Sequence, residues 1–138
     1  MTLQVELVSP ERVAYSGEAK MVVARVVTGD IAFLTGHVPF VGVLLTHSVR
    51  VIDEEGGEVA IAVHQGFVQV SGDRVTILSD VCELAEDIDV PRAEAAKARA
   101  EEALRADADD LDAKAALQRA DARLETAGIK PTVAAAAH

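Results

Sequence analysis

Four arginines in the last third of the chain have the side-chain type and the spacing to hold a phosphate. Arg92 and Arg99 stand seven residues apart, and Arg119 and Arg123 stand four apart. On helices, each spacing lines up its pair along nearly one line. A guanidinium presents a planar fork of N–H donors that matches phosphate oxygens. Four of them drawn to one edge would repel one another unless an anion lay between them. The same spacing also suits four solvated arginines paired with Asp and Glu on ordinary helix faces. Spacing alone leaves both readings open.

The elements that must carry these arginines are legible around them. Asp89 is a good N-cap, Val90 and Pro91 suit a first turn, and Ala, Glu, Lys and Arg continue to about Ala106. Residues 107–110 read Asp-Ala-Asp-Asp, a polar turn with another N-cap. A second helix is expected from Leu111 to about Ala127, with Gly128 at the C′ position. Helices joined so closely should be antiparallel neighbours. Their contact stripes would be Ala93, Ala96, Ala100 and Leu104 against Ala113, Leu117, Ala120 and Leu124. Each buried leucine adds about 2 kcal/mol, whereas ordering each residue costs roughly 1–2 kcal/mol. The pair should therefore dock and undock, or extend along a partner, as a mobile arm.

Before this arm the texture is period-two alternation broken by turn residues. Leu3, Val5 and Leu7 alternate with Gln4 and Glu6. Turns are expected at residues 9–11 and 16–18, followed by a long β-branched run over 19–27 that stops at 28–30. Hairpins are expected about Asp53-Glu54-Glu55-Gly56-Gly57 and Ser71-Gly72-Asp73. Short strands at regular spacing indicate a sandwich or flattened barrel. The whole is α+β: an antiparallel β-sandwich over 1–86, a helical hairpin over 87–130, and a disordered tail over 131–138.

Half of the 138 residues are hydrophobic but only 3% are aromatic, so the core must be built from Val, Ile, Leu and Ala. The net charge of −10 is spread over both halves, which disfavours a nucleic-acid partner. The lone cysteine, Cys82, excludes a disulfide framework and a Cys-based zinc site and suits a reducing compartment. It should pack near the sandwich edge, with no basic neighbour to activate it. No signal peptide opens the chain and no apolar run is long enough to span a bilayer, so the expectation is a soluble protein. His37, His47 and His64 lack carboxylates at ligand spacing, and no metal site is expected. No nucleophile motif or phosphate-cradling glycine loop is present, and Glu54-Glu55 should be solvated in their turn. An enzyme active site is not visible.

Several longer stretches resemble the ε subunits of bacterial F-type ATP synthases. They are LVSPERVAYSGEA near the start, GDIAFLTGHVPFVGVL at 29–44, HQGFVQVSGDRVTILSD at 64–80 and AEDID at 85–89. The resemblance implies a non-catalytic component of the rotary central stalk, peripheral on the cytoplasmic face of the plasma membrane. It implies three sets of partners: the γ subunit, the ring of c subunits and the α/β subunits of the catalytic head. Proton flow would be coupled through the sandwich, and ATP hydrolysis would be inhibited by the extending hairpin. Gly29, Asp30, Gly36, His37 and Pro39 would lie at the rotor interface. Some bacterial members bind ATP through an Ile/Leu-Asp-x-x-Arg-Ala motif, which Ile88-Asp89-Val90-Pro91-Arg92-Ala93 matches. By that likeness Glu83, Ile88, Asp89, Arg92, Ala93, Arg99, Arg119 and Arg123 would form a regulatory ATP site. The competing expectations are a stand-alone nucleotide-sensing module and, last, a small hydrolase.

Overall fold

The structure is a computed structural model that describes residues 2–129. The tail expected over 131–138 lies outside the described residues. Ten strands come first: β1 (Leu3–Val8), β2 (Val13–Ala19), β3 (Met21–Val26), β4 (Gly29–Leu34) and β5 (Phe40–Leu44). They continue with β6 (His47–Ile52), β7 (Glu58–Val63), β8 (Gly66–Ser71), β9 (Arg74–Ser79) and β10 (Cys82–Leu84). A 3-10 turn over Ala85–Asp87 leads to α1 (Val90–Ala106) and α2 (Leu111–Gly128).

Hydrogen bonding runs continuously in the order β10-β7-β6-β3-β5-β8-β9-β1-β2, with β4 paired to β3. All pairs are antiparallel except β1 with β9. The sheet folds over where β3 meets β5 through a single pair, Val26 and Leu44, giving two layers. Leu3, Val5, Leu7, Val22, Phe33, Ile61, Val63, Val68 and Ile77 fill the space between them, each at most 2% exposed. As the composition required, this is an aliphatic core, with Phe33 its one fully buried aromatic ring. The open ends of the sheet meet where an Arg12 Nη2 donates to the Cys82 carbonyl at 3.2 Å.

Three local expectations need correction. Residues 16–18 are not a turn but the middle of β2, where Gly17 pairs with Val5. A Cβ at Gly17 would stand 3.1 Å from the Tyr15 hydroxyl, so this glycine makes room for a ring instead of turning the chain. The run over 19–27 is not one strand. It breaks at Lys20, whose N–H donates to the Ile52 carbonyl at 2.7 Å, because β2 pairs with β1 while β3 crosses to β4 and β6. Gly128 is not a left-handed C′ residue: it closes the last turn of α2, and its φ is not among the positive ones. The hairpins at 53–57 and 71–73 form as read. So do the helix starts, where Asp89 caps the Arg92 N–H at 3.1 Å and Asp110 caps the Ala113 N–H at 3.0 Å.

Candidate functional site

Two surfaces on opposite layers of the sandwich carry features that folding alone does not require. The first is the seat of α2. On β6, β7 and β10, the residues Ser48, Ala62 and Glu83 stand side by side in one register row. They face outward, since the alternate residues Val49, Ile61 and Cys82 belong to the core. Alanine at 60 and 62 leaves a shallow floor, and α2 lies on it. Thr126 Oγ1 and Ser48 Oγ are hydrogen-bonded at 3.0 Å, and Arg123 Nε donates to Glu83 Oε1 at 2.7 Å. His47 Nε2 lies 3.1 Å from a Glu125 carboxylate oxygen at the same footing. The Glu83 oxygen that takes the arginine also lies 2.7 Å from His64 Nε2. The His64 hydrogen bond, then that of Arg123, hold the Glu83 carboxyl below the usual carboxylate range against the opposing effect of burial.

Helix α1 packs chiefly on α2. The buried stripe of Ala93 and Ala100 meets that of Ala113 and Ala120, and Lys97 Nζ bridges to Asp121 Oδ1 at 3.0 Å along one edge. That bridge fixes both the register and the sidedness of the hairpin. At 100° per residue, Arg92, Arg99 and Arg123 fall roughly 80–100° to the other side of the contact stripes, with Arg119 somewhat further round. Arg99 is level with Arg119, and all four lie within about 10 Å of axial rise. The closed hairpin therefore gathers the four arginines on one edge.

Their local partners differ. Arg123 is tied through Nε to Glu83, whereas its two terminal nitrogens have no hydrogen bond among the described residues. Arg92, Arg99 and Arg119 are exposed and carry no ion pair there. The other motif positions have structural work. Asp89 caps α1 with its side chain, Ile88 is 8% exposed, and Ala93, at 3%, admits α2 closely. Arg92 alone in Ile88–Ala93 has a functional group that the fold leaves unused. The donor set fits a polyanion.

The residues expected at a rotor interface do not form one patch. Gly29 and Gly36 both adopt positive φ, at 122° and 84°. Gly29 opens β4 and Gly36 lies just past its other end, about 17 Å of strand away. Asp30, beside the first, accepts from Arg25 Nε at 2.9 Å. At the second, His37 turns its Nδ1 to the Val38 carbonyl at 2.7 Å, and its ring meets that of Phe33 in a T-shaped contact, 5.1 Å between centroids. Pro39 then delivers the chain to β5. Among the described residues no cluster of His, Cys, Asp or Glu could hold a metal ion. Cys82, expected to lack a basic neighbour, has Arg12 beside it, but burial pushes its thiol up and leaves it unreactive.

The second surface was not foreseen. Val43, Phe67 and Leu78 are cross-strand neighbours on β5, β8 and β9, and each is more than half exposed. Val8 on β1 continues the row. Beside it a groove of about 590 Å³ is lined by Val8, Pro10, Val43, Phe67 and Leu78 among others. This is an apolar strip crossing a whole sheet face, of the kind that marks a protein contact.

Comparison with known proteins agrees with this two-part design. The model described as ATP synthase, Delta/Epsilon chain, beta-sandwich domain matches residues 2–85. Its companion, ATP synthase, Delta/Epsilon chain, long alpha-helix domain, matches residues 86–128. The chain belongs to the ATP synthase delta/epsilon chain family. The ATP synthase epsilon chain of Streptomyces griseus is 44% identical over 128 residues, covering 93% of this chain and 97% of the relative. That of Thermobifida fusca is 49% identical over 129 residues, covering 91% of each. A chain of the Euglena gracilis mitochondrial ATP synthase, in a structure of its OSCP, F1 and c-ring, superposes with a TM-score of 0.79. The overlap covers 91% of this chain and 81% of that one at 21% identity, a likeness of fold. A chain from the Tetrahymena thermophila mitochondrial central stalk and c-ring gives 0.55 at 12% identity, covering 92% of this chain and 97% of that one. Within the delta/epsilon family, then, this member has a sandwich with a bare apolar strip on one layer and a folded hairpin on the other.

Proposed function

We propose that this chain is the non-catalytic ε component of a bacterial rotary ATP synthase, fixed to the rotor by its sandwich and regulating hydrolysis through its hairpin. The supporting observation is the division of labour between the two layers. The strip of Val43, Phe67 and Leu78 is apolar and uncovered, suited to lasting burial against the γ subunit. The seat of α2 is small, polar and held by a few directional bonds, suited to release. The exposed ends of β4, with Gly29 and Asp30 at one and Gly36, His37 and Pro39 at the other, would contact γ and the c-ring at separate points. No helix among the described residues is long and apolar enough to cross a membrane. Attachment to the cytoplasmic face of the membrane would come through the complex. Pull-down of the purified chain with γ and the c-ring tests the assignment. Co-purification is expected, and well-folded protein that binds neither would reject it.

The closed hairpin would hold ATP as a regulatory ligand along its arginine edge. Arg92, Arg99 and Arg119 would take phosphate oxygens, with the free nitrogens of Arg123 completing the set and Asp89 fixing the start of α1. A bound polyphosphate would tie α1 to α2 and favour the folded over the extended arm. Calorimetric titration with ATP should show binding that Arg92→Ala weakens at least tenfold while the helix content stays the same. Equal binding by both proteins would leave Arg92 a surface residue. Nucleotide binding by a chain that ignores γ would favour the stand-alone sensor.

A further inference from the structure

Folding the Glu83 side chain onto Arg123 needs an explanation, because a carboxylate on that edge opposes an incoming phosphate. The explanation lies beneath it. The His64 side chain is only 6% exposed, and its Nε2 sits 2.7 Å from the same Glu83 oxygen that accepts from Arg123. Its other nitrogen, Nδ1, is buried with no hydrogen-bond partner. Every polar contact of this imidazole is therefore spent on Glu83, and a buried ring nitrogen goes unsatisfied in the process.

The backbone around His64 is unusually well fixed. Gln65, the next residue, has a φ of 58°, the one non-glycine residue in the left-handed region among those described. The Ser79 hydroxyl bonds the Gln65 carbonyl at 2.5 Å, and the His64 N–H reaches the Val81 carbonyl at 3.2 Å. Glu83, by contrast, is a long side chain on a three-residue edge strand, and a lone arginine would leave both free to swing. His64 carries the rigidity of that corner outward.

We infer that His64 is a positioning residue for the arginine edge, acting through Glu83 to hold Arg123 by its Nε. Its two remaining nitrogens then stay oriented toward a polyphosphate ligand. This rests on the nucleotide reading above and adds to it a residue with no contact to the ligand. In this arrangement Glu83 is not itself a phosphate contact. It spends its charge on the back of Arg123, which offsets its repulsion of the ligand, while His64 holds the same oxygen in place.

The test is calorimetric titration of the full chain with ATP, using wild type, His64→Ala, His64→Gln, Arg123→Ala and the His64→Ala/Arg123→Ala double variant. Melting temperatures without nucleotide are recorded alongside. His64→Ala should weaken ATP binding about tenfold, the scale of one lost hydrogen bond to a charged group. His64→Gln, whose amide can donate from nearly the same place, should recover most of it. In the Arg123→Ala background, His64→Ala should change nothing further. Wild-type affinity in His64→Ala would overturn the inference and leave the nucleotide reading standing. The same loss with and without Arg123 would overturn it too, by showing general damage. Absence of ATP binding by the wild type would bring down the nucleotide reading and this inference with it.

Discussion

Thr126 is the residue on which the docked arm turns most directly. It is fully buried, and its hydroxyl donates to the Ala122 carbonyl at 2.7 Å while sharing a hydrogen bond with Ser48 Oγ. Replacing it by valine keeps the shape and leaves Ser48 buried without its partner. The expected cost to docking is about 1–3 kcal/mol, seen as faster amide exchange throughout α2, whereas Thr126→Ser should retain most of the protection. Neither Ser48 nor Thr126 stood out in the sequence, and His64 was weighed there only as a metal ligand. Their roles come from register, which brings Ser48, Ala62 and Glu83 abreast from three separate strands. No local pattern of residues announces such a meeting. The arginines were legible because their spacing is local to a helix, and the N-caps Asp89 and Asp110 for the same reason.

Helix α2 owes its pose to a carboxylate, and this sets its response to acid. Glu83 is held below the ordinary carboxylate range in the folded state. Its contribution is therefore complete above the unfolded value of about 4.3 and is lost as pH falls through the lowered, folded value. Protection of α2 should stay level from neutral pH to about pH 5 and drop below about pH 4. Glu83→Gln should show weaker protection at neutral pH and a flatter acid limb. An equally steep acid limb in that variant would place the sensitivity elsewhere. At this scale the sequence was informative about the hairpins at 53–57 and 71–73, whose glycines turn the chain locally. It misled at residues 16–18, where a glycine that accommodates Tyr15 resembles one that turns. It also misled at Lys20, where the break in the β-branched run follows from pairing with two different neighbours. The alternation Val59-Ala60-Ile61-Ala62-Val63 held one usable hint: alanines on the outer face of a strand suggest that something covers them.

Across the whole molecule, the bare apolar strip and the seat of α2 face opposite ways. Phe67 is 58% exposed, so Phe67→Asp should fold with an unchanged melting temperature and intact nucleotide binding. It should also fail to co-purify with γ; retained association would move the contact elsewhere on the sandwich. The fold class was readable because alternation and helical texture divide cleanly near residue 86. The apolar strip was not, since Val43, Phe67 and Leu78 each sit in a strand that also sends residues inward, and only the pairing shows which side is bare.

The stacking of the helices has one more consequence. Among the described residues α1 leans chiefly on α2 and not on the sheet, although it comes first in the chain. Deleting everything after residue 110 takes away the later helix, yet with it goes the main support of the earlier one, and an isolated segment of that length is marginal in water. Circular dichroism of such a truncated chain should therefore lose well over one helix's worth of signal. A nick in the loop at 107–110 of the intact protein should leave both helices in place.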